Sequence, residues 1–185
     1  MLHMEQKNYK LEIINVLLKG NSHVREIAKK LNINHMMIVR KIKELSKENV
    51  VDFKQEGKNQ TYFLKKTAEA QAYAFIAEQY NLLQTIAKYP GLRNLIEKIQ
   101  RDKRIKLAVL FGSYAKGLAK KDSDIDIFIE SKDKNLKKEL TLIDSKLSIK
   151  IGMYNKETNL IKEIEKNHVI IKGVESYYEK NKFFG

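Results

Sequence analysis

The sequence contains no cysteine and a single proline. Without cysteine there are no disulfides and no thiolate metal sites. Pro90 is followed by Gly91, and this pair is the strongest break in the chain. Long hydrophobic runs are missing as well. Nothing approaches the roughly 18 apolar residues that a membrane-spanning helix needs. The first residues, Met1 to Lys7, lack the apolar core of a signal peptide. The expected compartment is the cytoplasm, with no membrane partner. No internal repeat and no low-complexity tract is visible. His3, His23 and His168 have no partners at metal-ligand spacing, so no zinc site is expected.

What is present is charge and an adequate supply of core residues. Of 185 residues, 43% are hydrophobic and 32% charged, enough for one medium domain or two small ones. The net charge is +13. Residues 1–66 hold 14 Lys and Arg against 7 Asp and Glu, a surplus of +7. Residues 67–101 hold 4 against 3, and residues 102–185 hold 18 against 13. The first third is the most basic per residue. Such a surface concentrates phosphate polyanions, or it is simply well solvated.

Residues 1–66 read as three helices and a hairpin. Leu11, Ile14, Leu17 and Leu18 recur at helical spacing. Gly20-Asn21-Ser22 stops that helix and offers a cap to a second one over 23–31. Asn32-Ile33-Asn34 is a tight turn, with Asn34 placed to cap a third helix over 35–48. Residues 50–54 and 61–64 read as strands joined by a turn over 55–60. Asn49, just before the first strand, tolerates a left-handed backbone. Residues 67–88 form one long helix too apolar for a free linker. It packs either on a second copy of itself, making a homodimer through 67–89, or within its own chain.

Beyond Pro90, helices and strands alternate. Helices are expected over 92–101, 135–144 and 158–166, and strands over 105–111, 124–130 and 147–153. The tail from Val169 is strand or helix. The first two of these strands carry the chemistry. An apolar strand ends in Phe111-Gly112-Ser113, and ten residues later comes Asp124-Ile125-Asp126. Gly112 allows close approach of backbone to a phosphate. Ser113 adds a hydroxyl, and the turn after it can aim amides at an anion. Asp124 and Asp126 fall on one face of a strand, about 6.6–6.8 Å apart at Cα. That spacing suits one or two magnesium ions beside a nucleoside triphosphate. Lys116, Lys120 and Lys121 in the intervening loop can neutralise phosphate charge.

The joint pattern of strand, Gly-Ser, ten residues, Asp-x-Asp and strand resembles the signature of the polymerase-β superfamily of nucleotidyltransferases. The similarity is greatest to the minimal prokaryotic and archaeal kind. It is sharp over about 25 residues and holds in outline over 90–185. It implies a mixed sheet with helices, Mg2+ and nucleoside triphosphate as ligands, and transfer of a nucleoside monophosphate to a hydroxyl. Asp124 and Asp126 are then the metal-binding and catalytic pair, and Gly112, Ser113, Lys116 and Lys121 bind nucleotide. Such enzymes add a third carboxylate from a neighbouring strand. The corresponding segment, Lys146 to Met153, contains no acid, and Lys150 stands at the apparent position. Glu130 shares the aspartates' face but lies about 13 Å beyond Asp126. The resemblance therefore implies nucleotide binding more directly than turnover.

Residues 1–66 resemble the winged helix-turn-helix domains of prokaryotic regulators. In that family the third helix enters the major groove of double-stranded DNA. The residues so implied are Asn34, His35, Arg40, Lys41 and Lys43, with Lys47 as a further phosphate contact and Lys54 and Lys58 on the wing. Met36 and Met37 fit core, interface or DNA contact equally. A winged helix can also serve protein contacts. The expected fold class is α+β: a winged helix-turn-helix over 1–66, a connecting helix over 67–89, and a nucleotidyltransferase fold over 90–185. Three functions follow from this. One is a DNA-binding nucleotidyltransferase, and another a regulator whose transferase module has become inactive. The last is an antitoxin-like nucleotidyltransferase with a protein partner.

Overall fold

A computed structural model describes residues 7–133 and 135–185. His3 and the rest of residues 1–6 lie outside the described residues. The chain forms two compact units, one through residue 77 and one from residue 78 onward.

The first unit is built on three helices. Helix α1 (Tyr9–Leu18) is capped by Asn8, whose side chain accepts the Leu11 amide at 3.4 Å. Helix α2 (Val24–Leu31) ends at Asn32, which takes a left-handed conformation at φ 52°. Helix α3 (His35–Lys47) starts at Asn34, whose side chain accepts the Met36 amide at 2.8 Å. Their apolar faces bury Ile13, Ile14, Ile27, Ile38, Ile42 and Leu45. Two strands follow, β2 (Val51–Glu56) and β3 (Asn59–Leu64), paired antiparallel from Val51↔Leu64 to Glu56↔Asn59. The expected six-residue turn thus contracts to Gly57-Lys58, because strand pairing continues out to Glu56 and Asn59. Asn49 sits at φ 62°, the left-handed conformation anticipated for it. Ser22 does not cap α2. It lies in the short strand β1 (Ser22–His23), paired with β3, and its hydroxyl donates to Glu26 at 2.6 Å.

Helix α4 (Ala68–Lys88) runs 21 residues and buries Ala70, Ala74 and Ala77, then Leu82 and Thr85. Small residues on that stripe let other elements approach the helix closely.

In the second unit, a 3-10 turn (Pro90–Leu92) leads into α5 (Arg93–Arg101). A four-stranded sheet follows in the order β6-β5-β4-β7. Its strands are β4 (Leu107–Phe111), β5 (Ile125–Glu130), β6 (Leu147–Ile151) and β7 (Val169–Lys172). The β5–β6 pair is parallel and the others antiparallel, so the sheet is mixed. Every residue of the central strand β4 is buried, matching its unbroken apolar sequence. Helices α5 and α7 (Asn135–Thr141) share one core with Leu110, Ile127, Ile129 and Ile149, while α8 (Asn159–Lys166) and α9 (Val174–Asn181), which have no residue in that core, pack near β4. The tail holds both a strand and a helix. Glu78 is buried beneath α9 and accepts the Tyr178 hydroxyl at 2.8 Å. Burial, with Glu78 alongside, pushes the Tyr178 phenol well above its ordinary range. Together the two units give the α+β class expected from the sequence.

Candidate functional site

The Gly-Ser turn and the Asp-x-Asp pair meet because β4 and β5 are antiparallel neighbours. Phe111 registers with Asp126, so the residue after Phe111 falls beside the Asp126 carboxylate. That residue is Gly112, at φ 69°. A Cβ there would overlap Asp126 Oδ2 and lie 3.2 Å from its Cγ. Glycine is thus required twice over, by the left-handed backbone and by the space the carboxylate fills. Gly112 opens the single helical turn α6 (Gly112–Ala115), with Ser113 half-buried as its second residue.

The loop from Ser113 to Asp124 is tied down at several points. The Leu118 amide donates to the Ser113 carbonyl at 2.9 Å. The Lys88 ammonium donates to the Gly117 carbonyl at 2.8 Å. The Lys120 amide donates to the Ser123 hydroxyl at 2.8 Å. Lys88 is a positioning residue that sequence reasoning missed. It lies 29 residues before Gly117, and no motif connects the two. Tyr114 packs edge-on against Tyr89, ring centroids 4.8 Å apart. Burial, helped by the Asp144 charge, raises the Tyr114 phenol.

Asp124 is exposed just before β5, and Asp126 is half-buried within it. Lys116 lies 3.7 Å from Glu163, a loose pair between two exposed side chains. Lys121 is exposed, and its carbonyl accepts the Lys146 ammonium. On β6 the parallel register sets Ser148 beside Asp126 and Lys150 beside Phe128. Lys150 is exposed on the aspartates' side of the sheet, two residues further along. The neighbour of Asp126 is therefore a hydroxyl. Asp144 caps its own turn, accepting the Lys146 amide at 2.9 Å. Among the described residues, no group of three or more His, Cys, Asp and Glu is placed to share a metal ion. Two carboxylates on one edge still fit magnesium, which commonly takes one or two from the protein and completes its shell with waters and phosphate oxygens.

In the first unit, α3 presents Met36, Arg40, Lys43 and Lys47 outward at successive turns, with Met36 67% exposed. Asn34 and His35 are exposed at the start of the same helix. Asn34 spends its side-chain oxygen on the cap, leaving its amide NH2 as a donor. Met36 belongs to this outward stripe, whereas Met37 is half-buried. Lys41 is half-buried and bound to both carboxylate oxygens of Glu44, at 2.9 and 3.0 Å. The Lys41 ammonium, with Lys10 also near, lowers the Glu44 carboxyl. Of the expected DNA contacts on α3, Lys41 alone has its charge matched within the helix. Lys58 stands exposed at the tip of the hairpin, and the Lys54 ammonium lies 5.6 Å from the Phe63 ring centroid.

Residues 92–183 match the family model described as the nucleotidyltransferase domain, from the end of the 3-10 turn through α9. The entire four-stranded sheet lies inside that match, and the segment carries a nucleotidyltransferase domain. No curated protein sequence matches the chain. Three solved structures are similar in part. The transcriptional repressor BigR from Xylella fastidiosa is 18% identical, with a TM-score of 0.36 over 38% of this chain and 70% of its own. The adhesin competence repressor AdcR from Streptococcus pyogenes is 18% identical, with a TM-score of 0.41 over 50% of this chain and 69% of its own. The homodimeric winged helix-turn-helix DNA-binding domain of Mb0332 from Mycobacterium bovis is 19% identical, with a TM-score of 0.34 over 43% of this chain and 70% of its own. At these scores the winged-helix assignment rests on the chain's own topology, a helix-turn-helix followed by a two-stranded wing.

Proposed function

We propose that this chain is a DNA-binding regulator whose C-terminal domain, of the minimal prokaryotic polymerase-β type, binds a magnesium–nucleoside triphosphate. The observation that carries the reading is the seating of Gly112 against the Asp126 carboxylate. It seats the start of α6, where Ser113 follows, beside the strand that carries Asp126. Phosphates lie along Gly112 and Ser113, and Lys116 and Lys121 offset their charge from the rim. Asp124 and Asp126 would hold Mg2+, as one ion or a pair. A magnesium ion held by these carboxylates would supply positive charge to offset that of the phosphate oxygens. The modules in this reading are 1–66 for DNA, 67–89 for connection and dimerisation, and 90–185 for nucleotide.

Calorimetric titration of Mg-ATP and Mg-GTP into the protein and into Asp124→Ala/Asp126→Ala tests it. Binding by the wild type that is lost in the variant is expected. No binding by the wild type would sink the nucleotide half of the reading.

A sensor rather than a transferase is favoured by one observation: Ser148, not an acid, stands beside Asp126. The third acid in such enzymes serves the attacking hydroxyl, as a base or through the second metal. In the transferase form, labelled nucleotide moves to an acceptor in excess of an Asp126→Ala control. In the sensor form no label moves, and affinity for a DNA site changes when nucleotide is added.

For DNA, α3 enters the major groove, with Arg40 and Asn34 directed to base edges, His35 beside them, and Lys43 and Lys58 on the backbone. Lys41 contributes less, since Glu44 holds it. The dimer forms through α4. Ala72, Ile76, Leu83 and Ala87 make an exposed stripe on one face of that helix, with Ile76 52% and Leu83 58% exposed.

A further inference from the structure

Three charged side chains at one edge of the sheet have no ion-pair partner among the described residues. The Asp124 and Asp126 carboxylates meet no ammonium or guanidinium within 4.0 Å. The Lys150 ammonium likewise meets no carboxylate within 4.0 Å. In a chain with 36 Lys and Arg, two neighbouring acids without a cation of the protein's own favour one from solution.

Register sets what surrounds them. On the β4 side, the Gly112 backbone closes against Asp126 Oδ2. The other side faces β6, an edge strand of the sheet. There Ser148 pairs with Asp126, and Lys150 with Phe128. Ile149 between them is part of the core, so Ser148 and Lys150 share the aspartates' face. One strand spacing across and two residues along separate the Asp126 and Lys150 Cα atoms, about 8 Å. The four-carbon stem of a lysine bridges much of such a gap.

This arrangement suits one divalent ion better than two. The two aspartates can serve a single magnesium, with waters and phosphate oxygens completing its shell. A second ion beside it needs further oxygens from the β6 side. That side offers a hydroxyl and an ammonium, and the ammonium repels a divalent cation.

We propose that this edge takes a single divalent ion with its nucleoside triphosphate, and that Lys150 supplies the second positive charge directly to the phosphates. The proposal rests on the reading of the edge as a magnesium–nucleoside triphosphate site. An ammonium is a compact charge on a flexible stem, suited to a phosphate oxygen. Lys150 is thus a nucleotide contact that lies outside the Gly-Ser and Asp-x-Asp segments.

Mn2+ and α,β-methylene ATP, titrated together into the full chain, test the proposal. Electron spin resonance counts the Mn2+ bound for each bound nucleotide. The wild type binds one. Lys150→Glu, with an acid in place of the ammonium, binds two. Lys150→Met weakens the nucleotide about tenfold or more, and Lys150→Arg keeps most of the affinity. Lys132→Met, exposed beyond the far end of β5, leaves it unchanged. Lys150 is exposed on an edge strand, so its replacement leaves the core untouched. Two Mn2+ per nucleotide in the wild type overturn the proposal. So does a loss in Lys150→Met no larger than in Lys132→Met, or a single ion in Lys150→Glu. Absence of nucleotide binding by the wild type overturns the reading of the edge as a nucleotide site, and the proposal falls with it.

Discussion

Gly112 and Gly57 both hold left-handed backbones, at φ 69° and 60°, but only Gly112 has a neighbour where a side chain would go. Gly57→Ala meets empty space and pays the backbone penalty alone, about 1 kcal/mol. Gly112→Ala pays the same penalty and pushes the Asp126 carboxylate aside. Thermal unfolding of the two variants should show the larger loss for Gly112→Ala. Nucleotide titration should fail for Gly112→Ala and survive in Gly57→Ala. Asn49 tells a related story. Its left-handed backbone was legible from residue type, but its contacts were not. Its carbonyl accepts the Thr67 hydroxyl at 2.7 Å, and its side chain meets Lys65 and, at 3.1 Å, Glu69. Asn49→Ala therefore loses backbone tolerance and side-chain bonds together, about 1–3 kcal/mol by chemical denaturation. Asn49→Gly keeps the first and should recover part of that loss.

At the scale of elements, α2 carries a charge effect that can be measured. The Lys30 ammonium, and after it the Ser22 hydroxyl, bring the Glu26 carboxyl down to about 2 from its ordinary 4.5. A depressed carboxyl favours the folded state in its charged form. Its contribution is full above about pH 4.5 and disappears as pH falls through about 2. The pair is well exposed, so the effect is small, within about 1 kcal/mol. Glu26→Gln should lower the unfolding midpoint at pH 7 and leave it nearly unchanged near pH 2. The elements themselves were largely readable from apolar spacing, since each helix of the first unit needs only one buried stripe. What failed was local detail that strand pairing overrides. Ser22 left its capping role for β1, and the wing's turn shrank to two residues.

Taken whole, the molecule pairs a basic first unit with a nucleotidyltransferase domain, and the charge difference gives predictions about association. Each phosphate contact removed from a DNA complex should reduce the salt dependence of binding by about one unit of slope. Lys43→Ala should do this evenly across DNA sequences, measured by fluorescence anisotropy over a salt series. Arg40→Ala should also relax sequence preference, at about 1–3 kcal/mol. Lys41→Ala should do less than Lys43→Ala, since Glu44 already holds that ammonium. For the dimer, Ile76→Glu/Leu83→Glu should shift sedimentation from dimer to monomer, because charges on an apolar helix face are costly to bury. A wild type that sediments as a monomer would count against α4 as the interface.

The sequence by itself determined most of the helices and strands, the place of the Gly-Ser segment at the end of one strand and of Asp-x-Asp at the start of the next, and the basic face of α3. These follow from periodicity, turn chemistry and residue type, which act over a few residues at a time. Other features depended on which distant residues become neighbours, and only the tertiary structure decided them. The β4–β5 register set Gly112 against Asp126. The parallel β5–β6 register put Ser148, rather than Lys150, beside that aspartate. The packing of α9 and the segment after β6 around Glu130 left one carboxylate oxygen buried with no partner among the described residues. Register and packing are sums over the whole core, and no short window of sequence contains them.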